Sequence, residues 1–359
     1  MTPKVTTRAS AALKNLFIAD ALAMPVHWFY NVHDIDKAFP DGITTFEAPP
    51  DFHPSSIMSL HSTSGGGRKQ SGKPQPNVVG DVILKGKQHY WDTPNVHYHQ
   101  GMQPGDNTLN AHCALTLMNT LAEPDAPYDS DAFLTAYIKL MTAETPAHPD
   151  TYAESYHRGF FANLEKGLPP KKCGAVTHDT PSIGGLVTIA PLVISERLKG
   201  VSLAETRQRC RQHLALTHPD NFLADVCDAY VELIDILLFR DSDDAVEEAL
   251  LNATRGLPKR KLAQLVNSQY TDREVVGGAL STACYITDAW PAVLYLASRY
   301  HKTPLSALQI NAEIGGDNVH RGAVLGVLLG LINAEACEDL YARLTEHASI
   351  NRAIERLVA

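Results

Sequence analysis

The chain lacks the paired cysteines of a zinc knuckle or a disulfide scaffold. Its six cysteines, Cys113, Cys173, Cys210, Cys227, Cys284 and Cys337, are scattered with no CxxC pair, a pattern of reduced thiols in a cytoplasmic protein. An excess of positive charge is also missing. A net charge of −9 over 359 residues, with no basic stripe, argues against a nucleic-acid partner and against a polybasic membrane anchor. No apolar run is expected to reach the roughly 20 residues that span a bilayer, so no membrane partner is expected. The stretch from Met1 to Pro25 is interrupted by Lys14 and Asp20 and does not read as a signal peptide. Strand-like alternation, internal repeats and domain boundaries are absent as well, so residues 1–359 are expected to form a single helical domain.

What is present is helical periodicity. Apolar residues recur at three- and four-residue spacing from Ala9 to Met24, where Pro25 stops them. Similar stretches run near 108–122, 131–143, 152–166, 182–198, 203–215, 220–240, 243–254, 288–300, 303–312, 321–333 and 335–358. Ser130-Asp131, Ser202 and Asp220 are capping residue types, and Pro304 suits a first helical turn. The class is all-α, with an irregular excursion near residues 40–107. Within it Ser62 to Asn77 reads as a loop, and Val78 to Leu84 as a short extended piece. Gly67 to Lys73 matches most of a phosphate-binding P-loop, but Pro74 stands where the magnesium-binding hydroxyl belongs, and a solvated basic loop is the plainer reading.

Two polar blocks far apart in sequence each open an apolar helix. Gly105-Asp106-Asn107-Thr108 precedes Leu109 to Leu121; Gly315-Gly316-Asp317-Asn318-Val319-His320-Arg321 precedes Gly322 to Ile332. An acid at the mouth of a buried helix costs free energy unless a cation, a ligand or a backbone cap offsets it. Capping is one explanation; a shared site built from Asp106 and Asp317 is the other. Gly322, Gly326 and Gly330 recur every four residues and let another helix approach closely, so the second helix is buried and its mouth opens from the interior.

Three further pieces carry polar chemistry. His97-Tyr98-His99, with His112, admits a transition-metal reading. Ser182-Ile183-Gly184-Gly185 presents backbone amides at a helix entry, which suits a phosphate or another anion, although a plain helix start explains it equally. Asp20 lies on an apolar helix with His27 just beyond its end, and a structural Asp20 bonding nearby backbone is the default.

In this order the blocks resemble the ADP-ribosylglycohydrolase family. Ala19 to His27 resembles the family's GDALGxPxE-like helix end, Gly105 to Thr108 its Ser/Thr-Asp-Asp-Thr block, and Ser182 to Leu192 its glycine-rich segment before "RIAPL". Leu216-Thr217-His218 and Asp288 to Ala292 follow, and Gly315 to His320 is similar to the closing GGDTDT-like block. The resemblance implies an orthogonal multi-helix bundle, a two-magnesium centre between the first and last blocks, and cleavage of the glycosidic bond joining ADP-ribose to an acceptor.

The chain departs from that pattern at the ligand positions. His27 replaces a Glu, Gly105 a hydroxyl residue and Asn107 a carboxylate, while Asn318, Val319 and His320 replace Thr, Asp and Ser or Thr. Asp106 and Asp317 remain. The expectation is a depleted metal centre at Asp106, Asn107 and Asp317 holding one weakly bound magnesium ion or none, as in a divergent branch related to the J-type crystallins.

Asp106, Asp317, His27 and His320 are then the candidate catalytic residues, and Ser182, Gly184, Gly185, Arg321 and His112 the candidate ligand-binding ones. Arg321 would take over part of the magnesium charge and the imidazoles would transfer protons; alternatively Arg321 pairs with Asp317 in a buried bridge. Three functions stay open. One is a hydrolase of ADP-ribosylated or related ribosyl substrates. The second is an inactive ADP-ribose-binding or crystallin-like structural protein, and the third a metal-independent enzyme of another specificity.

Overall fold

The computed structural model describes residues 3–58, 78–121 and 127–359. The whole Ser62 to Asn77 loop, including the P-loop-like Gly67 to Lys73, lies outside the described residues, as do residues 122–126. The helices are α1 (Pro3–Ala23), α2 (Val32–Ala38), α3 (Gln88–Trp91), α4 (Leu109–Leu121), α5 (Ser130–Thr142), α6 (Ser155–Glu165), α7 (Ile189–Leu198), α8 (Leu203–Ala215), α9 (Asn221–Phe239), α10 (Val246–Asn252), α11 (Lys259–Val266), α12 (Asp272–Val275), α13 (Ile286–Tyr300), α14 (Pro304–Ile314), α15 (Asn318–Asn333), α16 (Glu338–Tyr341) and α17 (His347–Val358). No strand forms among the described residues, in keeping with the all-α class.

Local chemistry sets most of the ends. The Ser202 side chain accepts the Glu205 amide at the start of α8, and Asp220 accepts the Leu223 amide at the start of α9. Pro304 occupies the first turn of α14. At α5 the cap is Asp129, one residue before the expected Ser130. Two expected helices are broken: 182–198 divides into a single turn, Ile183–Leu186, and α7, and 335–358 divides into α16 and α17. The expected extended piece at 78–84 is an irregular helical turn, Val78–Val82, kinked where Gly80 takes φ 94°. Helices α2, α11 and α12 are too short for periodicity to reveal.

The centre of the molecule is the pair α1 and α15. Gly322, Gly326 and Gly330 lie against Ala19, Asn15 and Ala11 respectively. Each step of four along one helix is matched by a step of four back along the other, so the two run antiparallel. A Cβ on Gly326 would collide with the Asn15 carbonyl, and one on Gly330 would lie 2.5 Å from the Ala11 carbonyl oxygen. The glycines therefore allow backbone-to-backbone packing. One consequence corrects the membrane expectation. Lys4–Val26 is long and apolar enough by length and composition to cross a bilayer, yet 89% of its most apolar window is buried inside the protein; it is a core helix.

Antiparallel packing also delivers the functional ends. The C-terminal end of α1, leading to His27, meets the N-terminal mouth of α15. Gly315 and Gly316 make this possible with φ of 72° and 63°. Their amide and carbonyl groups pair with the 28–29 segment, Gly316 N donating to Phe29 O at 2.7 Å and Trp28 N to Gly316 O at 2.8 Å. A side chain at either glycine would strike the Phe29 or Thr282 carbonyl.

Candidate functional site

Beside this junction lies a cavity of about 330 Å³. Trp28, Tyr30, Tyr98, Tyr152, Tyr156 and Tyr285 supply its aromatic wall. Glu154, Asp179, Asp317, His320 and Ser182 supply its polar one. Ser182 reaches the same wall as Cys284 and Tyr285 because the two segments pair: Ile183 N donates to Cys284 O at 2.9 Å, and Ile286 N to Pro181 O at 2.9 Å.

The polar wall is the outer end of a buried chain of alternating acids and imidazoles. Asp150 Oδ1 lies 2.7 Å from His99 Nδ1, His99 Nε2 lies 2.7 Å from His27 Nδ1, and His27 Nε2 lies 3.0 Å from Asp317 Oδ1. The same Oδ1 is 2.8 Å from His320 Nδ1, and His320 Nε2 is 3.2 Å from Glu154 Oε1. Asp150 and Glu154 flank the entry to α6, His99 comes from the loop before α4, and Asp317 and His320 form the mouth of α15. Every member is buried.

Hydrogen-bond logic fixes the protons. Ionised carboxylates only accept, so His99 Nδ1 donates to Asp150 and His27 Nε2 donates to Asp317. Burial pushes the His27 pKa down to about 3, against the pull of Asp317. His320 stands between two carboxylates. Burial opposes its charge, but Asp317 and Glu154 outweigh it and raise its pKa well above the ordinary imidazole value. Burial likewise works against the Asp317 carboxylate, and His320 and His27 overcome it, so its pKa is lowered. Asp317 and Glu154 thus share the His320 imidazolium between them as a buried counter-charge. The Asn110 amide lies 2.5 Å from His320 Nε2. Turned so that its oxygen accepts from this imidazolium, it also donates to His157, whose Nδ1 meets the Tyr137 hydroxyl at 2.6 Å.

Three buried atoms of residues that line the cavity, Asp317 Oδ2, Glu154 Oε2 and Ser182 Oγ, make no hydrogen bond, and Glu154 Oε2 lies 3.6 Å from His157 Nε2. Buried polar atoms left in this way mark a place for a ligand or for water. Trp28 is held at φ 61°, a strained region for a bulky residue. Its ring stacks on His27 at 3.7 Å, and the ring centroids of Trp28, Tyr98 and Tyr152 are 4.6–4.9 Å apart, all edge to face.

Of the residues singled out from sequence, the structure brings His27, Asp317, His320 and Ser182 together here. It places the others elsewhere. Asp106 Oδ2 accepts the Gln103 amide at 2.8 Å in a local turn, and the residue does not line the cavity. Asn107 donates to Asp20 Oδ1 and to Phe17 O, both at 2.8 Å. Asp20 also takes the Thr108 amide at 2.8 Å and its hydroxyl at 2.6 Å, so it secures the start of α4. His112 lies on α4, its ring 6.1 Å from that of His148 and away from the cavity lining.

Arg321 is buried and spent on Asn311 Oδ1 at 2.7 Å and Gly315 O at 2.8 Å. It braces the turn between α14 and α15, and forms neither an ion pair with Asp317 nor a phosphate fork. Gly184 lies under the cavity wall, where a Cβ would come within 2.7 Å of the Tyr156 hydroxyl; Gly185 packs on Leu214 and His218. Both serve close packing in a four-residue turn.

The transition-metal reading of His97, His99 and His112 does not survive the hydrogen bonds. His97 donates from Nε2 to Pro25 O at 3.1 Å and accepts the His99 amide at Nδ1, while both nitrogens of His99 are engaged. Among the described residues the group with ligand spacing is His27, Asp317 and His320, whose ligand atoms lie within 4.8 Å of one another. Two imidazoles and one carboxylate form a borderline donor set, and magnesium calls for an oxygen octahedron. The two imidazole nitrogens here are aimed at Asp317 Oδ1 itself rather than at a point between the three side chains. The described residues therefore do not fit a magnesium pair.

Sequence reasoning missed Glu154, Asp150, Asp179 and the aromatic wall. The available signal was Asp150-Thr151-Tyr152-Ala153-Glu154, two acids around an aromatic just before a helix.

The ADP-ribosylglycohydrolase family model matches residues 1–359, and the chain belongs to that family. A solved structure described as an ADP-ribosylglycohydrolase-related protein complex is similar in fold, with a TM-score of 0.58 at 16% identity over 99% of both chains. A search of curated proteins finds no match.

Proposed function

We propose that this protein hydrolyses the glycosidic bond of an ADP-ribosyl or related ribosyl compound without a metal ion. The observation that carries this reading is His320 clamped between Asp317 and Glu154, both of which line the cavity. Glycoside hydrolysis needs two carboxyl groups flanking the bond, one to manage the leaving group and one to activate water or steady the positive charge at the anomeric carbon. Asp317, doubly hydrogen-bonded and held ionised, is the group for water and charge. Glu154, the second carboxyl group on the cavity wall, stands on the leaving-group side, held by the His320 imidazolium. His27, with His99 and Asp150 behind it, positions Asp317. Membership of the family supports a ribosyl sugar.

The test is turnover of a panel of ribosyl and ADP-ribosyl compounds in excess EDTA. Turnover that survives EDTA and falls at least about 100-fold in His320→Ala supports the reading. A requirement for added magnesium, or full activity in His320→Ala, overturns it.

A further inference from the structure

From the composition of the cavity we infer that its substrate is an organic cation of single-nucleoside size, a ribosyl group bonded to a positively charged ring nitrogen, rather than a dinucleotide carrying a pyrophosphate. The inference rests on the proposed glycosidic hydrolysis and narrows it.

Charge comes first. Glu154, Asp179 and Asp317 face the cavity, with one imidazolium, His320, shared between two of them. His178 lies at the rim, 2.9 Å from Asp179. No lysine or arginine lines the cavity among the described residues, and Arg321, which sequence pattern offered for phosphate, is turned into carbonyl groups. A pyrophosphate would enter beside carboxylates with no fork among the described residues to receive it, a like-charge juxtaposition that selects against it.

Shape and surface agree. Trp28, Tyr98 and Tyr152 make a corner of mutually perpendicular rings, and the chain holds Trp28 in a strained backbone conformation to complete it. Aromatic faces beside carboxylates are the surroundings that favour a flat organic cation. A volume of about 330 Å³ falls at the small end of the range for small-molecule sites, about 300–1,000 Å³.

The chemistry closes without a further reactant. Water oxygen bonds to the anomeric carbon as the carbon–nitrogen bond breaks. The bonding pair goes to the nitrogen, which leaves neutral and needs no proton. The water gives one proton to a cavity carboxylate, from which it passes to solvent. Positive charge moves from nitrogen to the sugar ring in the transition state, so the carboxylates that bind the cation also stabilise its breakdown.

The experiment uses nicotinamide riboside as the cationic probe, its uncharged C-glycoside isostere benzamide riboside, NAD as the same bond carrying a pyrophosphate, and 4-nitrophenyl riboside as a neutral substrate, all in EDTA. Calorimetry should show the cation bound at least tenfold more tightly than the isostere, with kcat/KM at least tenfold above that for NAD. Asp179→Asn should narrow the preference for the cation at least threefold. Equal binding of the isostere, or preference for NAD, overturns the inference; if 4-nitrophenyl riboside is then still hydrolysed through His320, the proposed hydrolysis stands. Charge-selective binding with no turnover of any riboside supports the ligand class and overturns the hydrolysis.

Discussion

His320 Nδ1 lies 2.8 Å from Asp317 Oδ1, one turn away on the mouth of the same buried helix. The contact couples two titrations of opposite sign. The folded pKa of His320 is raised, so the stability it contributes is full below the unfolded value of 6.5 and is lost as pH rises through the folded value. The folded pKa of Asp317 is lowered, so its contribution is full above the unfolded value of 3.8 and is lost as pH falls through the folded one. Removing His320 leaves Asp317 with one neutral imidazole partner and Glu154 with none of its charge offset. His320→Ala is expected to destabilise the protein by about 3–5 kcal/mol near neutral pH. The loss should shrink as pH rises through the folded His320 pKa. Urea unfolding at several pH values measures it; a loss that is constant or grows toward alkaline pH refutes the assignment.

Because one imidazolium serves both carboxylates, the effects of Glu154→Gln and His320→Ala should not add. Glu154→Gln removes the acid that would otherwise be stranded, so the double variant should be more stable than the sum of the single losses predicts, by about 0.5–3 kcal/mol. A double-mutant cycle in urea gives the coupling directly, and additivity within error would show that the contact carries no energy.

The disagreement with a magnesium pair is measurable without any substrate. A protein that bound magnesium tightly in its folded state would gain stability in proportion to the logarithm of metal over Kd. Thermal unfolding in EDTA and in excess magnesium should instead give melting temperatures within about 1 °C, since 100-fold saturation would correspond to about 2.7 kcal/mol. A rise of several degrees would mean that the ion has oxygen ligands beyond Asp317.

The fold was legible where spacing is periodic. Gly322, Gly326 and Gly330 announce a close helix partner, and the partner is α1, meeting them at Ala19, Asn15 and Ala11. The site was legible only in half. His27, Asp317 and His320 stand out because they sit at the ends of apolar helices, where a polar residue needs a reason. Glu154 and Asp150 precede a mixed helix containing Arg158 and Asn163, where acids attract no notice. Asp106 shows the converse. Its Gly-Asp-Asn-Thr setting has the look of a metal ligand, yet the contacts of that block run to Asp20 and Gln103, and only the three-dimensional path of α1 decides between these uses.

The glycine stripe gives a stability prediction independent of the site. Gly330→Ala would bring a methyl group to 2.5 Å from the backbone of Ala11 and Ala12, atoms that cannot move without shifting α1. Although alanine is the better helix former by about 1 kcal/mol, overpacking costs typically about 1–3 kcal/mol, and here it meets backbone rather than a flexible side chain. A net loss of stability is expected in denaturant unfolding, and a gain would mean that the helices are less tightly packed than the geometry states.

Trp28 separates conformational strain from aromatic contact. At φ 61° a residue with a Cβ carries a penalty of about 1–2 kcal/mol that glycine escapes. Both Trp28→Gly and Trp28→Ala forfeit the buried ring and its stacking on His27, a loss of about 3–5 kcal/mol. Glycine usually destabilises relative to alanine by widening the freedom of the unfolded chain, an effect of about 0.4–1 kcal/mol; here relief of strain outweighs that effect. Trp28→Gly is therefore expected to be more stable than Trp28→Ala by up to about 1 kcal/mol, while both lose binding of an aromatic cation by calorimetry. If the alanine variant is the more stable, the left-handed conformation is not enforced by the pairing of Trp28 N with Gly316 O and Gly316 N with Phe29 O, and that segment relaxes once the ring is gone.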